Sequence, residues 1–246
     1  MSVTNKKTLV GTGKVYLDGR FLDNNAEFAI SFDFNETTMP DYTSPGGGVY
    51  DTIKRVNNMT VGLKLMDFNS DNLAMVLYGS ATAVAAAAVT DESITTGANL
   101  DRLVKTAHMI DTDETVTVTS DPAGTTYVED TDYTISPAGI VVLSTGSMAA
   151  STGYLIDYTK KAVDLIQMLT GSGEEFSLIF DGWNEAEDEP FYCELYKFKP
   201  GGADGLGLIT EGSEFGEMPI TGTVIKDTTV TGAGLSKYGK FSLPSA

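Results

Sequence analysis

The chain has 246 residues, 41% of them hydrophobic and 20% charged, enough to bury the core of one large domain or two modest ones. Its 34 Asp and Glu residues outnumber 16 Lys and Arg residues, and the net charge of −18 excludes an ordinary basic phosphate-binding surface. The single cysteine, Cys193, excludes an intramolecular disulfide framework and is expected to be a small buried side chain. No signal peptide is visible, and the longest apolar run, Ala83–Val89, is too short to span a bilayer.

The acidic excess is unevenly spread. Residues 1–80 hold 7 basic and 9 acidic side chains, a net charge of −2, and the remaining residues hold 9 and 25, a net charge of −16. A solubilising acidic surface explains this excess. A conduit that passes DNA without retaining it would also need a wall of the same sign as the phosphates. Composition alone leaves both interpretations open.

The N-terminal region is predicted to begin with a polar arm, Met1–Leu9, which neighbouring subunits of an assembly would order. A strand is predicted over Leu9–Leu17. The pair Asp18-Gly19 then indicates a tight turn before the next strand.

The most informative stretch is Ala26–Phe34, AEFAISFDF, where large apolar side chains alternate with small or polar ones. This period of two predicts a half-buried strand. The following run, Glu36–Asn58, contains two prolines, three consecutive glycines, two tyrosines and a Lys-Arg pair, and leads into another alternating strand, Met59–Met66. It is predicted to be a long loop, and loops of this length are usually functional or disordered. Its aromatic and basic side chains indicate a docking element.

A short helix is predicted over Ser70–Tyr78. Asn69 or Ser70 can serve as its N-cap, and Gly79 suits the C′ position. A helix this short needs tertiary packing, so it should lie against a sheet. The small-residue stretch that follows, Ser80–Val89, is predicted to be a strand or a linker.

The C-terminal two thirds of the chain divide into regions of different composition. Short Thr- and Val-rich segments between turn residues predict a small all-β, Ig-like subdomain at 106–160, inserted between a first part at 1–105 and a second part at 161–246. The main domain is predicted to resume with strands at Glu174–Asp181, Pro190–Phe198 and Pro219–Lys226. The segment Thr228–Ala246 is expected to be a strand or a C-terminal arm.

Catalytic and metal chemistry has little support in the sequence. One histidine, His108, and one cysteine cannot build a typical zinc site, and no nucleophile motif accompanies them. We therefore expect no enzyme, no resident metal and no cofactor. The carboxylates Asp181 and Glu185, beside Trp183, are the one candidate pair for glycoside hydrolysis. Three acidic clusters could take Ca²⁺ or Mg²⁺ but fit solvated loops better: Asp111/Asp113/Glu114, Glu129/Asp130/Asp132 and Glu185/Glu187/Asp188/Glu189.

The order strand, strand, long loop, strand, short helix over Gly11–Gly79 resembles the N-terminal core of tail tube (major tail) proteins of long-tailed, siphovirus-type bacteriophages. The resemblance returns around Thr159–Lys226. It implies a mainly β fold of two packed antiparallel sheets, a tail-tube-like β-sandwich or barrel, with the helix on its flank and the inserted subdomain on the outside of a tube.

The resemblance also implies a structural virion protein, made and assembled in the cytoplasm of a bacterial host. Homohexameric rings would stack head to tail into the tail tube, an acidic-walled conduit through which DNA passes without specific binding. Expected partners are the tape measure, tail terminator and baseplate or initiator proteins, without membrane insertion. An Ig-like surface or adhesin module and, less strongly, a carbohydrate-active enzyme remain as alternatives.

Within that expectation, the Glu36–Asn58 loop is predicted to contact the next ring. Its tyrosines would act as anchors, since aromatic anchors dominate interface energies, and its basic pair would meet acidic residues. The residues of the predicted contact are Pro40, Tyr42, Pro45, Gly46, Gly47, Gly48, Tyr50, Lys54 and Arg55.

Overall fold

The computed structural model describes residues 8–171, 173–203, 205–210, 212 and 215–244. Most of the predicted N-terminal arm, residues 1–7, and the last two residues of the predicted C-terminal arm lie outside this set. The protein is mainly β, as predicted. Its described residues form two compact units, one made of Thr82–Leu165 and the other of the described residues before and after that segment.

Sixteen strands and one helix are formed by the described residues. In chain order they are β1 Gly11–Leu17, β2 Arg20–Phe21, β3 Asn25–Pro40, β4 Val49–Leu65, α1 Ser70–Val76, β5 Ser80–Val84, β6 Ala87–Thr95, β7 Leu103–Lys105, β8 Thr117–Ser120, β9 Tyr133–Ser136, β10 Gly139–Val142, β11 Gly153–Lys160, β12 Val163–Gln167, β13 Phe176–Asn184, β14 Glu189–Lys199, β15 Met218–Val224 and β16 Gly239–Ser242.

The first unit is built on one antiparallel sheet with the order β2-β1-β13-β14-β15-β4-β3, in which β16 also pairs with β14. The sheet is open, because β2 and β3 lie at its two ends. It folds over so that Phe28 on β3 stacks on Phe180 on β13, with 4.7 Å between ring centroids. The two packed layers expected from the sequence are therefore arms of a single bent sheet. Between them lies a core that includes Val15, Val61, Leu63, Leu65, Leu178, Leu195, Phe198 and Ile220.

Helix α1 begins and ends through specific caps. The side chain of Asn69 accepts a hydrogen bond from the Asn72 amide at 2.8 Å, so Asn69 is the N-cap. At the other end the predicted C′ glycine is wrong: Tyr78 takes the left-handed conformation, with φ 49°. Gly79 follows it and donates to the Ala74 carbonyl, which completes a Schellman motif. A side chain at Gly79 would lie 2.5 Å from the Gln167 carbonyl oxygen, so close packing requires the glycine.

The second unit contains two three-stranded antiparallel sheets, β7-β10-β9 and β6-β11-β8. They enclose a separate core that includes Ile94, Ile110, Val118, Ile140, Tyr154 and Ile156. This small all-β unit begins at Thr82, before the boundary of 106 expected from the sequence, because β6 pairs with β11 along most of its length and buries Ile94. A further two-stranded sheet pairs β5 with β12.

The predicted long loop at Glu36–Asn58 is wrong. Strand β3 continues to Pro40 and β4 begins at Val49, so only residues 41–48 connect the two strands. The pairing runs from Asn25 opposite Leu65 to Pro40 opposite Val49, with three register shifts. Threonine, valine and isoleucine in the run favour extended backbone. The cluster of prolines, glycines and tyrosines marks the tip of a long hairpin.

Candidate assembly surface

The β3–β4 hairpin has two halves with different environments. The hairpin base, residues 25–31 and 59–65, alternates between buried and half-buried positions on β4 and pairs with β15 from Leu65 to Thr60. The distal hairpin, residues 32–40 and 49–58, has no other described strand paired with it. It is a two-stranded ribbon with both edges open, and such a ribbon is marginally stable in water by itself.

Large apolar side chains line one face of the distal hairpin. Phe32 and Phe34 are each 55% exposed, with ring centroids 6.2 Å apart, and Val56 opposite Phe34 is 48% exposed. These residues continue the face that carries Phe28 and Ile30 into the core of the hairpin base. The core-facing stripe of β3 therefore runs beyond the core of its own chain.

Charged residues follow the apolar stripe toward the tip. The Lys54 ammonium lies 3.1 Å from the Glu36 carboxylate, in register across the two strands. Both side chains are substantially exposed, so this ion pair contributes little to the stability of the isolated chain. Arg55 lies opposite Asn35 on the other face. The distal hairpin thus combines an apolar stripe with charges, as protein interfaces do.

The tip, residues 41–48, has a defined hydrogen-bonded conformation. The Asp41 amide donates to the Gly48 carbonyl at 2.9 Å, and the Asp41 carboxylate accepts from the amide and hydroxyl of Thr43 at 2.7 and 2.6 Å. Hydrogen bonds from Thr43 hold the pKa of Asp41 below its ordinary value. Gly46, Gly47 and Gly48 have φ of 115°, 70° and 142°, where a side chain would be strained. The three glycines therefore shape the connection between the strands by adopting backbone angles that other residues rarely take.

The predicted contact residues all lie on the distal hairpin or its tip, and all are exposed: Pro40, Tyr42, Pro45, Gly46, Gly47, Gly48, Tyr50, Lys54 and Arg55. Sequence reasoning missed the apolar stripe of Phe32, Phe34 and Val56. The alternation of AEFAISFDF was assigned to a half-buried strand, which would have buried both phenylalanines. The alternation predicts which face of the strand is apolar, but it carries no signal of where the core that covers this face ends.

An apolar groove of about 360 Å³ opens beside the distal hairpin, and we call it the β16 groove. It arises because β15 and β16 both pair with β14, whereas β4 pairs with β15 only as far as Thr60. Side chains of the hairpin and of β16 therefore face each other without strand pairing. The groove is lined by Ile30, Phe32, Val56, Met59, Cys193, Tyr238 and Phe241.

Cys193 lies in the core of the first unit and is 3% exposed. Burial raises the pKa of its thiol, with a smaller contribution from the neighbouring Glu194 carboxylate. The thiol is thus kept in its neutral form, which is the less reactive one. Its position agrees with the buried strand residue predicted from the sequence.

The candidate carboxylate pair lies on the surface of β13 and the turn after it. Asp181, Trp183 and Glu185 are all exposed, and the residues between them, Gly182 and Asn184, are buried. Asp181 contributes to a shallow cavity of about 290 Å³, which neither Trp183 nor Glu185 lines. The two carboxylates of a glycosidase flank the scissile bond within one cleft, and Asp181 and Glu185 do not share this cavity.

His108 is exposed in the second unit, where its amide donates to the Tyr158 hydroxyl at 3.3 Å. Two of the acidic clusters are engaged in local contacts. The Asp111 carboxylate lies 3.1 Å from the Lys161 ammonium, and the Asp132 carboxylate accepts from the Ser147 amide and hydroxyl and the Val128 amide. Within the described part of the chain, no three His, Cys, Asp or Glu side chains gather as a metal site would require.

No helix among the residues described is long and apolar enough to cross a membrane.

These features define a mainly β protein. Its first unit, which carries a long exposed hairpin, is interrupted in the sequence by a second, small β unit. The chain belongs to the family described as "Protein of unknown function UCP028589", whose profile matches residues 8–242. A search of curated proteins finds no match. The family description carries no activity, so the function has to be argued from the geometry.

Proposed function

We propose that this protein is a structural subunit that assembles with copies of itself into a tube of the phage-tail type. In this proposal hexameric rings stack head to tail, and the chain is a virion component that forms a conduit for DNA. The observation that carries self-assembly is the distal hairpin, a two-stranded ribbon with open edges and exposed phenylalanines. The hexameric, phage-tail form of the assembly rests on the sequence resemblance over Gly11–Gly79.

Self-association would cover the apolar side chains of the distal hairpin and pair its open strand edges. An exposed apolar stripe and unpaired strand edges favour pairing with another chain. In a ring or stacked tube, neighbouring copies would cover the stripe of Phe32, Phe34 and Val56 and pair with the open strand edges. The exposed tyrosines at positions 42 and 50, which are 87% and 67% exposed, would anchor the same contact.

The opposite face of the hairpin base and β15 supports the conduit role. Its cross-strand rows consist largely of small or polar residues, such as Ala29 opposite Gly62 and Ser31 opposite Thr60. Lys64 is the basic residue in these rows, and its ammonium lies 3.6 Å from Glu27 and 3.7 Å from Glu217. Because two carboxylates already neutralise this lysine, the face offers little to retain phosphates.

Electron microscopy and sedimentation velocity test the proposal. The wild-type chain is examined across concentration, beside a variant in which residues 35–55 are replaced by an Asn-Gly turn joining Phe34 to Val56. These two residues are directly paired, so a two-residue turn can close the shortened hairpin. We expect rings or tubes with a central channel from the wild type. The variant keeps Phe32, Phe34 and Val56 but lacks the tip and the outer strand edges, so we expect it to fold without forming long tubes.

A matched control keeps the hairpin length and changes its side chains. Thr38 and Thr52, paired across the ribbon, are replaced by serine, a change that leaves the apolar stripe and tip intact. This control should assemble as the wild type does. Long tubes from the shortened variant, or a wild type that stays monomeric at every concentration and with added tail initiator proteins, would contradict the proposal.

A further inference from the structure

A second exposed apolar feature of the same unit lies away from the distal hairpin. The apolar loop, residues 205–210, carries Leu208 and Ile209, which are 78% and 95% exposed. Leu206, two residues earlier, packs against the core and fixes the start of the loop. Two adjacent aliphatic side chains held out into solvent by an anchored glycine-rich segment form a compact apolar knob.

The apolar loop and the β16 groove lie at opposite ends of β15. Residues before the loop run antiparallel to β15, with the Gly201 amide donating to the Thr221 carbonyl and Ala203 bridged to Ile220. The chain therefore leaves toward the Met218 end of that strand. The groove lies beyond the other end, next to Met59, where β4 parts from β15. Seven residues of extended strand separate the two ends, a span of about 20 Å.

A knob at one end and an apolar groove at the other cannot satisfy each other within one chain. Between copies they form a heterologous contact, which closes into a ring or continues as an open stack. We propose that Leu208 and Ile209 of one copy insert into the β16 groove of a second copy. This inference rests on the proposed self-assembly and specifies one of its contacts.

Charge complementarity supports this choice of occupant. The segment 201–216 contains three acidic residues in its sequence and no basic one. Lys240 lines the groove, and Lys54 lies on the hairpin two residues from the groove-lining Val56; their side chains are 49% and 63% exposed. Each lysine has one carboxylate partner, Glu36 or Glu194, and enough exposed surface to meet another. In a chain with a net charge of −18, an acidic loop docks most favourably where lysines lie.

Two variants test the contact from its two sides. In the loop variant Leu208 and Ile209 are replaced by serine, and in the groove variant Phe241 is replaced by aspartate. Each should weaken self-association measured by sedimentation velocity by roughly 30-fold, the effect of losing one interface hot spot. The control Leu235→Ser removes an aliphatic side chain that is 62% exposed in the same unit, and it should associate as the wild type does.

Mixing the two variants gives the decisive result. Each variant keeps one intact side, so a head-to-tail contact predicts that a 1:1 mixture associates more strongly than either variant alone. If the wild type assembles but the mixture stays monomeric, or if the loop variant assembles normally, the contact is wrong and the proposed function stands. A wild-type chain that never self-associates overturns both.

Cross-linking keeps the test independent of variant folding. Ile209→Cys and Phe241→Cys are combined in a Cys193→Ala background and oxidised with a copper–phenanthroline reagent during assembly. A ladder of disulfide-linked copies supports the contact. The matched pair Leu235→Cys with Phe241→Cys should give no ladder, and equal ladders from both pairs would overturn the contact.

Discussion

The two halves of the β3–β4 hairpin share the same strands and the same alternation of side chains, yet only one half has a core to face. In the hairpin base, Val61 and Leu63 are at most 2% exposed. In the distal hairpin, Phe34 on the same face is 55% exposed. Alternation thus specifies which face of a strand is apolar, but the partner that covers the face comes from elsewhere. For the distal half, we propose that this partner is another chain.

The largest expected effect on stability comes from shortening a buried side chain in the hairpin base. Leu63→Ala removes a buried side chain from the core and should lower the free energy of unfolding by about 2–5 kcal/mol. Phe34→Ala, matched on the same face of the hairpin, should change the stability of the monomer by about 0.5 kcal/mol or less. Urea unfolding of dilute protein measures both. Equal losses would mean that the distal half is packed against its own chain.

In self-association, unlike in monomer stability, substitution of Phe34 should have a large effect. Under assembly conditions Phe34→Ser removes part of the apolar stripe from the proposed contact, and we expect association to weaken by about tenfold or more. Sedimentation velocity across concentration measures the change. Thr38→Ser, on the same face closer to the tip, is the control. An unchanged assembly of the Phe34 variant would separate the stripe from the contact and leave the tip as the candidate.

Amide hydrogen exchange resolves the same comparison residue by residue. In dilute protein, amides of the base should exchange through global unfolding, and those of the distal half through local opening at far lower free energy. Assembly should protect the distal amides while changing the base little. Distal amides that are fully protected in the monomer would indicate that the ribbon is stable without a partner.

Sequence reasoning succeeded where local signals and tertiary packing agree. The strand Ala26–Phe34, the Asp18-Gly19 turn and the Asn69 cap were each predictable, because alternation, left-handed turn residues and capping side chains act over a few positions. Asp18 and Gly19 indeed have positive φ of 47° and 79°. The start of the second unit at Thr82 was not predictable, since it depends on β6 pairing with β11 more than fifty residues later.

The candidate surface was predictable only in part. Tyr42, Tyr50 and the Lys-Arg pair stood out by residue type and are all exposed. The β16 groove depends on where β4 parts from β15, and the sequence carries no local mark of that divergence. The conformation of Glu36–Asn58 was predicted wrongly because glycines and prolines at a hairpin tip produce the same composition as a long loop.

A smaller effect is expected from the ion pair of the distal hairpin. Glu36→Gln removes the partner of Lys54, whose ammonium lies 3.1 Å from the carboxylate. Because both side chains are well exposed, the local opening free energy should fall by roughly 0.2–1 kcal/mol, and added salt should shrink the difference. Exchange of the Lys54 and Thr37 amides at two salt concentrations measures it. A larger, salt-independent loss would mean that Glu36 is acting through packing.

The smallest effect is confined to the tip and depends on pH. Hydrogen bonds from Thr43 hold the pKa of Asp41 below its ordinary value of 3.8, so the folded tip favours the carboxylate. The sign follows from linkage: this contribution is present above pH 3.8 and is lost as the pH falls through the lowered pKa. The chemical shift of the Thr43 amide, followed by nuclear magnetic resonance, should therefore titrate with a midpoint below pH 3.8. The substitution Asp41→Asn should abolish that titration. A midpoint at or above the ordinary value would show that Thr43 does not hold the carboxylate in solution, and that the tip takes its shape from the three glycines alone.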